Sequence, residues 1–455
     1  MSDAPRITVP PPGPRSRELL GRAEGMFYPG TAHGLAPFVV ARKDGYTITD
    51  VDGNVYLDLI SASASVPLGA GREDIAAPAV EALRRYGNED SHTMASEPMI
   101  ALAERLLAIV PEGLTRVDLA LNGTEAVETA IKMMRRATGR PVVIGFFSQY
   151  HGESTTTATL GAEQSDISRG MRTFAPGFAH VPYPHPYRSP LGPARAGGSG
   201  DATVDYIRDH LLFHALHPGD VAGVIVEPIV GSGGVLVPPD SFWPALEELC
   251  REHDWLLCAD EVKTGFGRTG RMFAVEHWGV RPDLMCLGKG MGGGVMPIGA
   301  VVGTERAMGF DDVPTGSTWA WLPAACAAAL RTIEIFAEED VLGNVRALER
   351  VAVEELRRIA ERHEQVGDVR VRGCYQAIEF VRDRETRERH PELQERVARE
   401  ALARGVLADS STTSYNIQPS LVMPPDDLRR GLGIVGEAVD AAVAELARWP
   451  VAATS

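Results

Sequence analysis

Residues 255–289 read WLLCADEVKTGFGRTGRMFAVEHWGVRPDLMCLGK and carry the clearest indication of the fold. It begins with the apolar run 255–260 and ends with a second apolar run, 284–287, which a glycine separates from Lys289. Continuous apolar runs of this length are typical of strands that are buried on both faces of a parallel sheet. The stretch therefore predicts two buried strands, with Asp260 and Lys289 at their carboxyl ends.

Similar apolar runs lie on the N-terminal side of this stretch, at 116–121, 141–147 and 222–227. Helical patterns separate them, and the clearest one places Ala126, Ala130 and Met134 on one stripe. Strands that alternate with helices predict an α/β fold, with a mostly parallel sheet sandwiched by helices. After Thr332 the sequence is chiefly helical and charged, with one strand-like run at 375–381, which predicts a smaller α+β domain.

Changes of composition along the chain predict four segments. Residues 1–18 are Pro-rich and are predicted to form a disordered arm, and residues 19–70 an N-terminal segment of the small domain. Residues 71–334 are predicted to form the large domain, and residues 335–455 the C-terminal part of the small domain. Within the large domain, the Pro- and Gly-rich run 182–200 predicts a long surface loop, and loops of that length are often functional.

The overall composition excludes several classes of partner. The 455 residues carry a formal net charge of −16, which argues against nucleic acid and anionic membrane surfaces as partners. No apolar run reaches the roughly 18 residues that a membrane helix needs, and the N-terminus has no apolar core of a secretory signal. The five cysteines show neither CxxC nor zinc-site spacing, so we expect reduced thiols in a cytoplasmic protein.

Three predicted strands end in polar residues, and ligands of open α/β sheets bind beyond such ends. Asn122, Gly123 and Thr124 follow the first strand and begin a helix, where a glycine and free N–H groups favour an anion. Asp260 ends another strand, and its carboxylate can keep a ring nitrogen protonated. Lys289 follows the third strand, and a desolvated lysine becomes an imine-forming nucleophile.

Each of these features alone also has a plain structural interpretation. The helix start can be an ordinary cap, Asp260 a member of an ion pair, and Lys289 a solvated loop lysine. Together, however, an anion-binding turn, an acid and a lysine at strand ends are the parts that a pyridoxal 5′-phosphate (PLP) site needs. The combination therefore predicts PLP as the cofactor.

Four segments carry a resemblance to a known family: LNGTEAVETAIKM (121–133), VEPIV (226–230), ADEVKTGFGRTGR (259–271) and LGKGMGGGVMPIGAV (287–301). The chain resembles the class III aminotransferases, a group of fold-type I PLP-dependent enzymes that includes the ornithine and 4-aminobutyrate aminotransferases. The resemblance runs from about Gly25 to the last helix. It implies the fold of a fold-type I PLP-dependent transferase, with the large domain binding PLP.

The resemblance also implies the reaction and its catalytic residues. The enzyme would move an amino group between an amine or amino acid and a carbonyl acceptor, with ping-pong kinetics. Lys289 would form the aldimine with PLP and carry the proton during the reaction. Asp260 would pair with the pyridinium nitrogen, and Tyr150 would stack on one face of the cofactor ring.

Further cofactor-binding residues follow from the same resemblance, in addition to Lys289, Asp260 and Tyr150: Asn122, Gly123, Thr124, His151, Glu227, Val262, Lys263, Ser317 and Thr318. Gly123 and Thr124 would hold the phosphate, and Val262 would pack on the ring face opposite Tyr150. Thr318 matches a threonine that family members donate to the phosphate of the other subunit. The resemblance thus implies a homodimer with shared active sites.

Three residues depart from the pattern of the family and leave a second function open. Lys263 stands where transaminases commonly have Gln but where a racemase branch, the α-amino-ε-caprolactam racemases, has Lys, and the loop 182–188 resembles that branch too. Asn416 stands where many members carry an Arg that clamps a substrate carboxylate, which argues against 2-oxoglutarate as the usual acceptor. Ser232 opposes the racemase interpretation, because that branch has an Asp there. The alternative function is an amino-acid racemase or epimerase on the same scaffold.

Two more groups of residues allow both a functional and a structural interpretation. Trp319, Trp321 and Leu322 suggest a bulky or aromatic substrate pocket, but the core of a subunit interface is the favoured interpretation. His210, His214 and His217 share one face of a predicted helix. Because the carboxyl end of a helix favours histidine for reasons of charge alone, we predict no metal site there.

Overall fold

The computed structural model describes residues 4–29, 31, 36–162, 175–411 and 413–448. The chain divides into two compact units. The small unit comprises Met1–Ala64, Leu68–Arg72 and Arg346–Ser455, and the large unit comprises Ser65–Pro67 and Glu73–Val345.

The strands, in chain order, are β1 Val40–Asp44, β2 Thr47–Asp50, β3 Val55–Asp58, β4 Arg116–Ala120, β5 Val142–Phe146, β6 Phe178–Val181, β7 Val221–Val226, β8 Leu256–Asp260, β9 Leu284–Leu287, β10 Gly299–Gly303, β11 Val366–Arg372, β12 Tyr375–Phe380, β13 Val406–Leu407, β14 Asp409–Ser410 and β15 Tyr415–Ile417. The helices are α1 Pro14–Ala23, α2 Glu73–Tyr86, α3 Glu97–Ile109, α4 Gly123–Thr138, α5 Thr155–Gly161, α6 Ala202–Tyr206, α7 Leu212–His214, α8 Phe242–Glu252, α9 Glu305–Met308, α10 Pro323–Glu338, α11 Val341–Arg362, α12 Pro391–Ala403 and α13 Pro425–Arg448.

The large unit is built on a seven-stranded sheet with the order β4-β10-β9-β8-β7-β5-β6. Strand β10 runs antiparallel to both of its neighbours, and the other neighbouring pairs are parallel. Every residue of β7, β8 and β9 is buried, as the uninterrupted apolar runs predict. The predicted mostly parallel α/β fold is confirmed.

Helix α4 shows how the sequence produces a helix that covers this sheet. The Asn122 side chain accepts a hydrogen bond from the Glu125 N–H at its start, and Gly139 ends it in the left-handed conformation. Its apolar stripe, with Ala130 and Met134, is buried in one core cluster with residues of the central strands such as Ile225. Full burial of a side chain such as Met134 contributes about 1.5–3 kcal/mol, so this packing holds α4 against the sheet.

The small unit contains two four-stranded sheets, β1-β2-β3-β13 and β11-β12-β15-β14. Its N-terminal residues correct one prediction, because the described part of the predicted disordered arm is ordered. Arg6 pairs with Val55 through two backbone hydrogen bonds, and the Asn54 side chain accepts from the N–H groups of Thr8 and Val9. Proline tolerates such an extended conformation, and the Asn54 side chain binds two N–H groups that have no strand partner.

The unit boundaries differ from the predicted domain limits. The large unit continues to Val345, past the predicted limit at 334, because α10 packs extensively against α2 and α3 of that unit. Residues 65–67 also belong to the large unit. These assignments depend on contacts between distant parts of the chain, which changes of composition do not report.

The predicted surface loop has no helix or strand from 182 to 201. Its first part is anchored, since Tyr183 is 4% exposed and its hydroxyl donates to the Pro228 carbonyl at 3.0 Å. The residues after Arg188 are largely exposed. Among the described residues, none of the helices combines the length and apolar composition that a bilayer crossing requires.

Candidate active site

A cavity of about 430 Å³ lies in the large unit, at the end of the sheet where β8 and β9 finish. This volume is within the usual range for small-molecule sites. Many of the sequence-predicted residues line it: Asn122, Gly123, Thr124, Tyr150, His151, Asp260, Val262 and Lys289. Four segments that are far apart in the chain therefore meet here, as the rule for strand ends predicts.

The buried acid of the cavity is Asp260, the last residue of β8. Its Oδ1 atom accepts a hydrogen bond from the Val262 N–H at 3.0 Å, and its Oδ2 atom lies 2.6 Å from Nδ1 of His151. Both side chains are almost completely buried. Water cannot screen a pair in such a place, so the carboxylate is strongly held and faces the cavity in one orientation.

Glu227 supports this arrangement from just after β7. Its two carboxylate oxygens accept hydrogen bonds from the N–H groups of Tyr150, at 2.8 Å, and Gly231, at 2.9 Å. Burial raises the pKa of Glu227, while the neighbouring His151 acts to lower it. Glu227 is absent from the described lining of the cavity, so its visible effect is to fix the backbone that carries Tyr150.

The start of α4 forms an anion-binding cradle on the cavity wall. The first N–H groups of a helix have no partner within the helix, and the helix dipole favours negative charge there. Segments of the chain approach one another so closely here that there is no room for a side chain at Gly123. A Cβ atom on Gly123 would lie 2.6 Å from Cγ1 of Val262. A Cβ atom on Gly152, which has a φ of 120°, would lie 2.4 Å from Oγ1 of Thr124.

Lys289 begins a short 3₁₀ turn immediately after β9 and Gly288. Its φ of 41° is in the left-handed region, which is uncommon for residues other than glycine. The Nζ atom lies 5.8 Å from the ring centroid of Tyr150, whose hydroxyl donates to Oε1 of Glu153 at 3.0 Å. The strained backbone thus directs an amine into the cavity beside an aromatic ring.

Three predicted residues besides Glu227 are not among the described lining residues: Lys263, Ser317 and Thr318. Ser317 instead donates from its hydroxyl to Oε2 of Glu125 at 3.3 Å, and Thr318 is exposed. Trp321 is 1% exposed and donates from Nε1 to the Gly299 carbonyl at 2.7 Å, so it belongs to the core of the large unit. Trp319, in contrast, is 56% exposed.

Two parts of the site were not predicted from the sequence. One is an apolar wall that includes Val295, Met296 and Ile298, which follow the glycine run after Lys289. In the sequence, these residues cannot be distinguished from the start of the next strand. The other is Gln149, a fully buried amide whose Oε1 atom lies 3.1 Å from Nε2 of His151. The sequence contained one indication of this contact: Gln149 stands two residues before His151, and alternate residues of an extended segment share a face.

The predicted histidine group does not assemble into a metal site. The rings of His210 and His214 have centroids 6.1 Å apart, and Tyr206 stacks on His210. Across the described ranges, no three His, Cys, Asp or Glu side chains come together in a way that could hold a metal ion.

The donor set of the cavity fits PLP. An amine can attach an aldehyde, a buried carboxylate can pair with a ring N–H, and a helix start can bind a phosphate, all within one cavity. This donor set, at the end of a mostly parallel sheet, identifies the protein as a PLP-dependent enzyme of fold type I. The model of the class III aminotransferases matches residues 29–439, and the chain belongs to that family.

Individual relatives span nearly the whole chain. An alanine/serine racemase of Pyrococcus horikoshii is 33% identical, over 96% of this chain and 93% of the relative. A 4-aminobutyrate aminotransferase of Mycobacterium tuberculosis is 35% identical, over 94% of this chain and 97% of the relative. Among solved structures, a PLP-bound amine transaminase from an uncultivated Pseudomonas species superposes with a TM-score of 0.84 at 32% identity, covering 92% of this chain and 98% of the other. The predicted family, fold type, enzyme class and cofactor are confirmed.

Proposed function

We propose that this class III aminotransferase acts through Lys289, Asp260 and the start of α4. The observation that carries the proposal is the meeting of a strained lysine and a buried Asp260–His151 pair in one cavity. When bound, PLP supplies an electron sink for the bond that breaks at the substrate carbon bearing the amino group. All other requirements fall on residues of this chain.

Each residue has a distinct task in this proposal. The Nζ atom of Lys289 attaches the cofactor and moves the proton of the substrate carbon. The Asp260 carboxylate holds a proton on the ring nitrogen, and His151 keeps that carboxylate oriented. The N–H groups at Gly123 and Thr124 bind the phosphate. The low exposure of Asp260 and His151 excludes water, which strengthens these interactions.

Asn416 bears on the choice of substrate. It is fully buried in β15 of the small unit, and its Oδ1 atom accepts a hydrogen bond from the Ser414 hydroxyl at 2.7 Å. A neutral amide with its oxygen already engaged cannot form the bidentate contact that a guanidinium offers to a carboxylate. We therefore propose that Asn416 provides no clamp for an α-carboxylate, and that 2-oxoglutarate is not the usual acceptor.

Racemisation or epimerisation is the second candidate function, because several relatives are racemases or epimerases. Besides the Pyrococcus protein, an isoleucine 2-epimerase of Lentilactobacillus buchneri is 30% identical and a leucine/methionine racemase of Thermococcus litoralis is 31% identical. Lys263 supports this candidate. Ser232 does not, because a half-buried hydroxyl is a poor base.

One experiment separates the two functions. Single enantiomers of alanine, leucine and isoleucine are incubated with the PLP-loaded enzyme in deuterium oxide, with no carbonyl acceptor. Transamination predicts about one equivalent of keto acid per active site and then no further reaction. Racemisation predicts continuing loss of optical activity with deuterium at the α-carbon. If neither product forms with these amino acids or a wider panel of amines, the proposal fails; Lys289→Ala serves as the inactive control.

We also propose that the enzyme is a homodimer with shared active sites, located in the cytoplasm. The exposure of Thr318 and Trp319 supports a subunit contact at this segment, because an exposed tryptophan is characteristic of interfaces. Five free, buried cysteines are compatible with a reducing compartment.

A further inference from the structure

Behind the proposed cofactor site, three buried side chains form a row that ends at the cavity. Asp260 is followed by His151, with Oδ2 and Nδ1 2.6 Å apart, and His151 by Gln149, with Nε2 and Oε1 3.1 Å apart. Gln149 has no exposed surface, and its amide nitrogen has no hydrogen-bond partner among the described residues. A buried amide nitrogen without a partner is costly, and a methionine would occupy similar space without that cost.

The chemistry of the row restricts the state of His151. A carboxylate only accepts hydrogen bonds, so the His151 Nδ1 atom at 2.6 Å must carry a proton. The Nε2 atom then has either a lone pair, in a neutral ring, or a second proton, in a charged ring. The Gln149 amide serves both states, because its oxygen accepts from a charged ring and, after a half turn, its nitrogen donates to a neutral one.

Other charged groups face His151 as well. Burial raises the pKa of Glu227, which holds the Tyr150 N–H; the charge of His151 acts to lower that pKa, the charge of Asp260 raises it further, and the charge of Lys263 lowers it. The carboxylates of Asp260 and Glu227 therefore both interact with His151, and Lys263 interacts with Glu227. Asp260 and Gln149 are the described side chains bonded to the His151 ring, and of these Gln149 has no formal charge. Its amide can turn when the ring gains or loses a proton, whereas a carboxylate can only accept hydrogen bonds.

We propose that Gln149 is a positioning residue whose amide, through Nε2 of His151, sets the orientation and charge state of His151 and thereby the hold of Asp260 on the ring nitrogen of the cofactor. This inference rests on the proposed function of Asp260. It assigns to Gln149 a task that neither the cavity lining nor the anion cradle performs.

The test compares two substitutions that change the amide in opposite ways. Gln149→Glu keeps the shape but offers only acceptors, which favours the charged ring, whereas Gln149→Met offers no donor and only a weak acceptor. Gln376→Met is the matched control, because Gln376 is an equally buried glutamine of the small unit. Each full-length protein is labelled with ¹⁵N-histidine, and the His151 signal is assigned by its loss in His151→Asn.

We expect opposite shifts in the two variants. The pH at which His151 loses its second proton should rise by about one unit in Gln149→Glu and fall by about one unit in Gln149→Met. The dissociation constant of PLP, measured by equilibrium dialysis, should increase about tenfold in Gln149→Met, since Asp260 loses its fixed orientation. Gln376→Met should leave both quantities at the wild-type values.

Shifts in the same direction, or no shift in either Gln149 variant, would overturn the inference. So would a loss of thermal stability in both variants without any change in the His151 signal, because that result is expected of a merely structural glutamine. The histidine measurement is made with and without PLP. If the wild-type protein fails to bind PLP, the proposed function falls, while the signal of the protein without PLP still tests the role of Gln149.

Discussion

Asp260 combines a position at the end of an apolar strand, which the sequence shows, with an almost complete loss of exposure, which the structure shows. The exposed fraction decides its chemistry, because a carboxylate that water cannot reach must be bonded to protein groups or to a ligand. The Val262 N–H and His151 each engage one oxygen. The remaining acceptor capacity faces the cavity, where the cofactor ring is proposed to lie.

Asp260→Asn should therefore nearly abolish turnover. An uncharged amide neither holds a proton on a ring nitrogen nor accepts from His151 with the same strength, and we expect kcat to fall on the order of a thousandfold. The matched control is Asp283→Asn at the other end of β9, where the carboxylate accepts from the Leu257 N–H. That variant should lose stability but retain kcat; equal losses of kcat in both variants would refute the assignment.

Glu261 follows Asp260 in the chain and makes the stability of the protein depend on pH. It is fully buried, accepts hydrogen bonds from the Thr264 hydroxyl and the Val275 N–H, and burial raises its pKa to about 7 from an ordinary 4.5. The folded protein thus keeps this proton up to about pH 7, whereas the unfolded chain releases it near pH 4.5. Stability should fall as the pH rises between these values and level off above them.

Glu261→Gln should remove this pH dependence. The difference in the free energy of unfolding, variant minus wild type, should increase by about 3 kcal/mol between pH 4.5 and pH 7.5. This increase does not depend on how much the substitution changes stability at a single pH. Urea unfolding at several pH values measures the difference. Glu305→Gln, at an exposed ion pair with Arg116, should show no comparable rise. A difference that stays constant with pH in Glu261→Gln would contradict the explanation.

At the scale of elements, the start of α4 depends on close contact between three loops. A Cβ atom on Gly288 would lie 3.2 Å from the Gly123 nitrogen, and one on Gly123 would lie 2.6 Å from Val262. The loops after β4, β8 and β9 therefore touch one another through glycine. This contact places the helix N–H groups, the acid and the lysine around one cavity.

Gly123→Ala should separate these loops. The added methyl must displace Val262 or the helix start, which we expect to cost about 1–3 kcal/mol of stability and to weaken PLP binding about tenfold. Gly433→Ala in α13 is the control, because a Cβ atom there meets nothing within 4 Å. That substitution should be neutral or stabilise the protein by about 0.5–1 kcal/mol. Unchanged PLP affinity in Gly123→Ala, measured by dialysis, would show that the close approach is dispensable.

At the scale of the whole molecule, the proposed homodimer gives the exposed segment around Thr318 a purpose. Within its own chain this segment is held by hydrogen bonds from Ser317 to Glu125 and from His92 to the Ser317 carbonyl. Thr318 itself remains exposed. If Thr318 contacts the phosphate of the second subunit, each active site requires residues from two chains.

Mixed dimers test this arrangement directly. Subunits with Lys289→Ala are co-expressed with subunits that carry Thr318→Val, and the heterodimers are isolated with two affinity tags. If Thr318 acts in the partner's site, one site of each heterodimer is intact, and about half of the wild-type activity should return. If Thr318 acts in its own site or has no role, the heterodimer should not exceed the average of the two parent proteins.

The fold class, the family and the residues that follow the strands could all be predicted from the amino-acid sequence. Uninterrupted apolar runs identify buried parallel strands, and Gly123, Asp260 and Lys289 lie next to such runs, so local pattern and motif were sufficient. The roles of the predicted residues and the domain limits stay predictions. The structure was needed to show that Arg6 pairs with Val55 of β3, that Trp321 is core and Trp319 exposed, and that Gln149 lies within hydrogen-bond distance of His151. Burial and partners of these residues depend on segments distant in the chain, and no local pattern of amino acids encodes them.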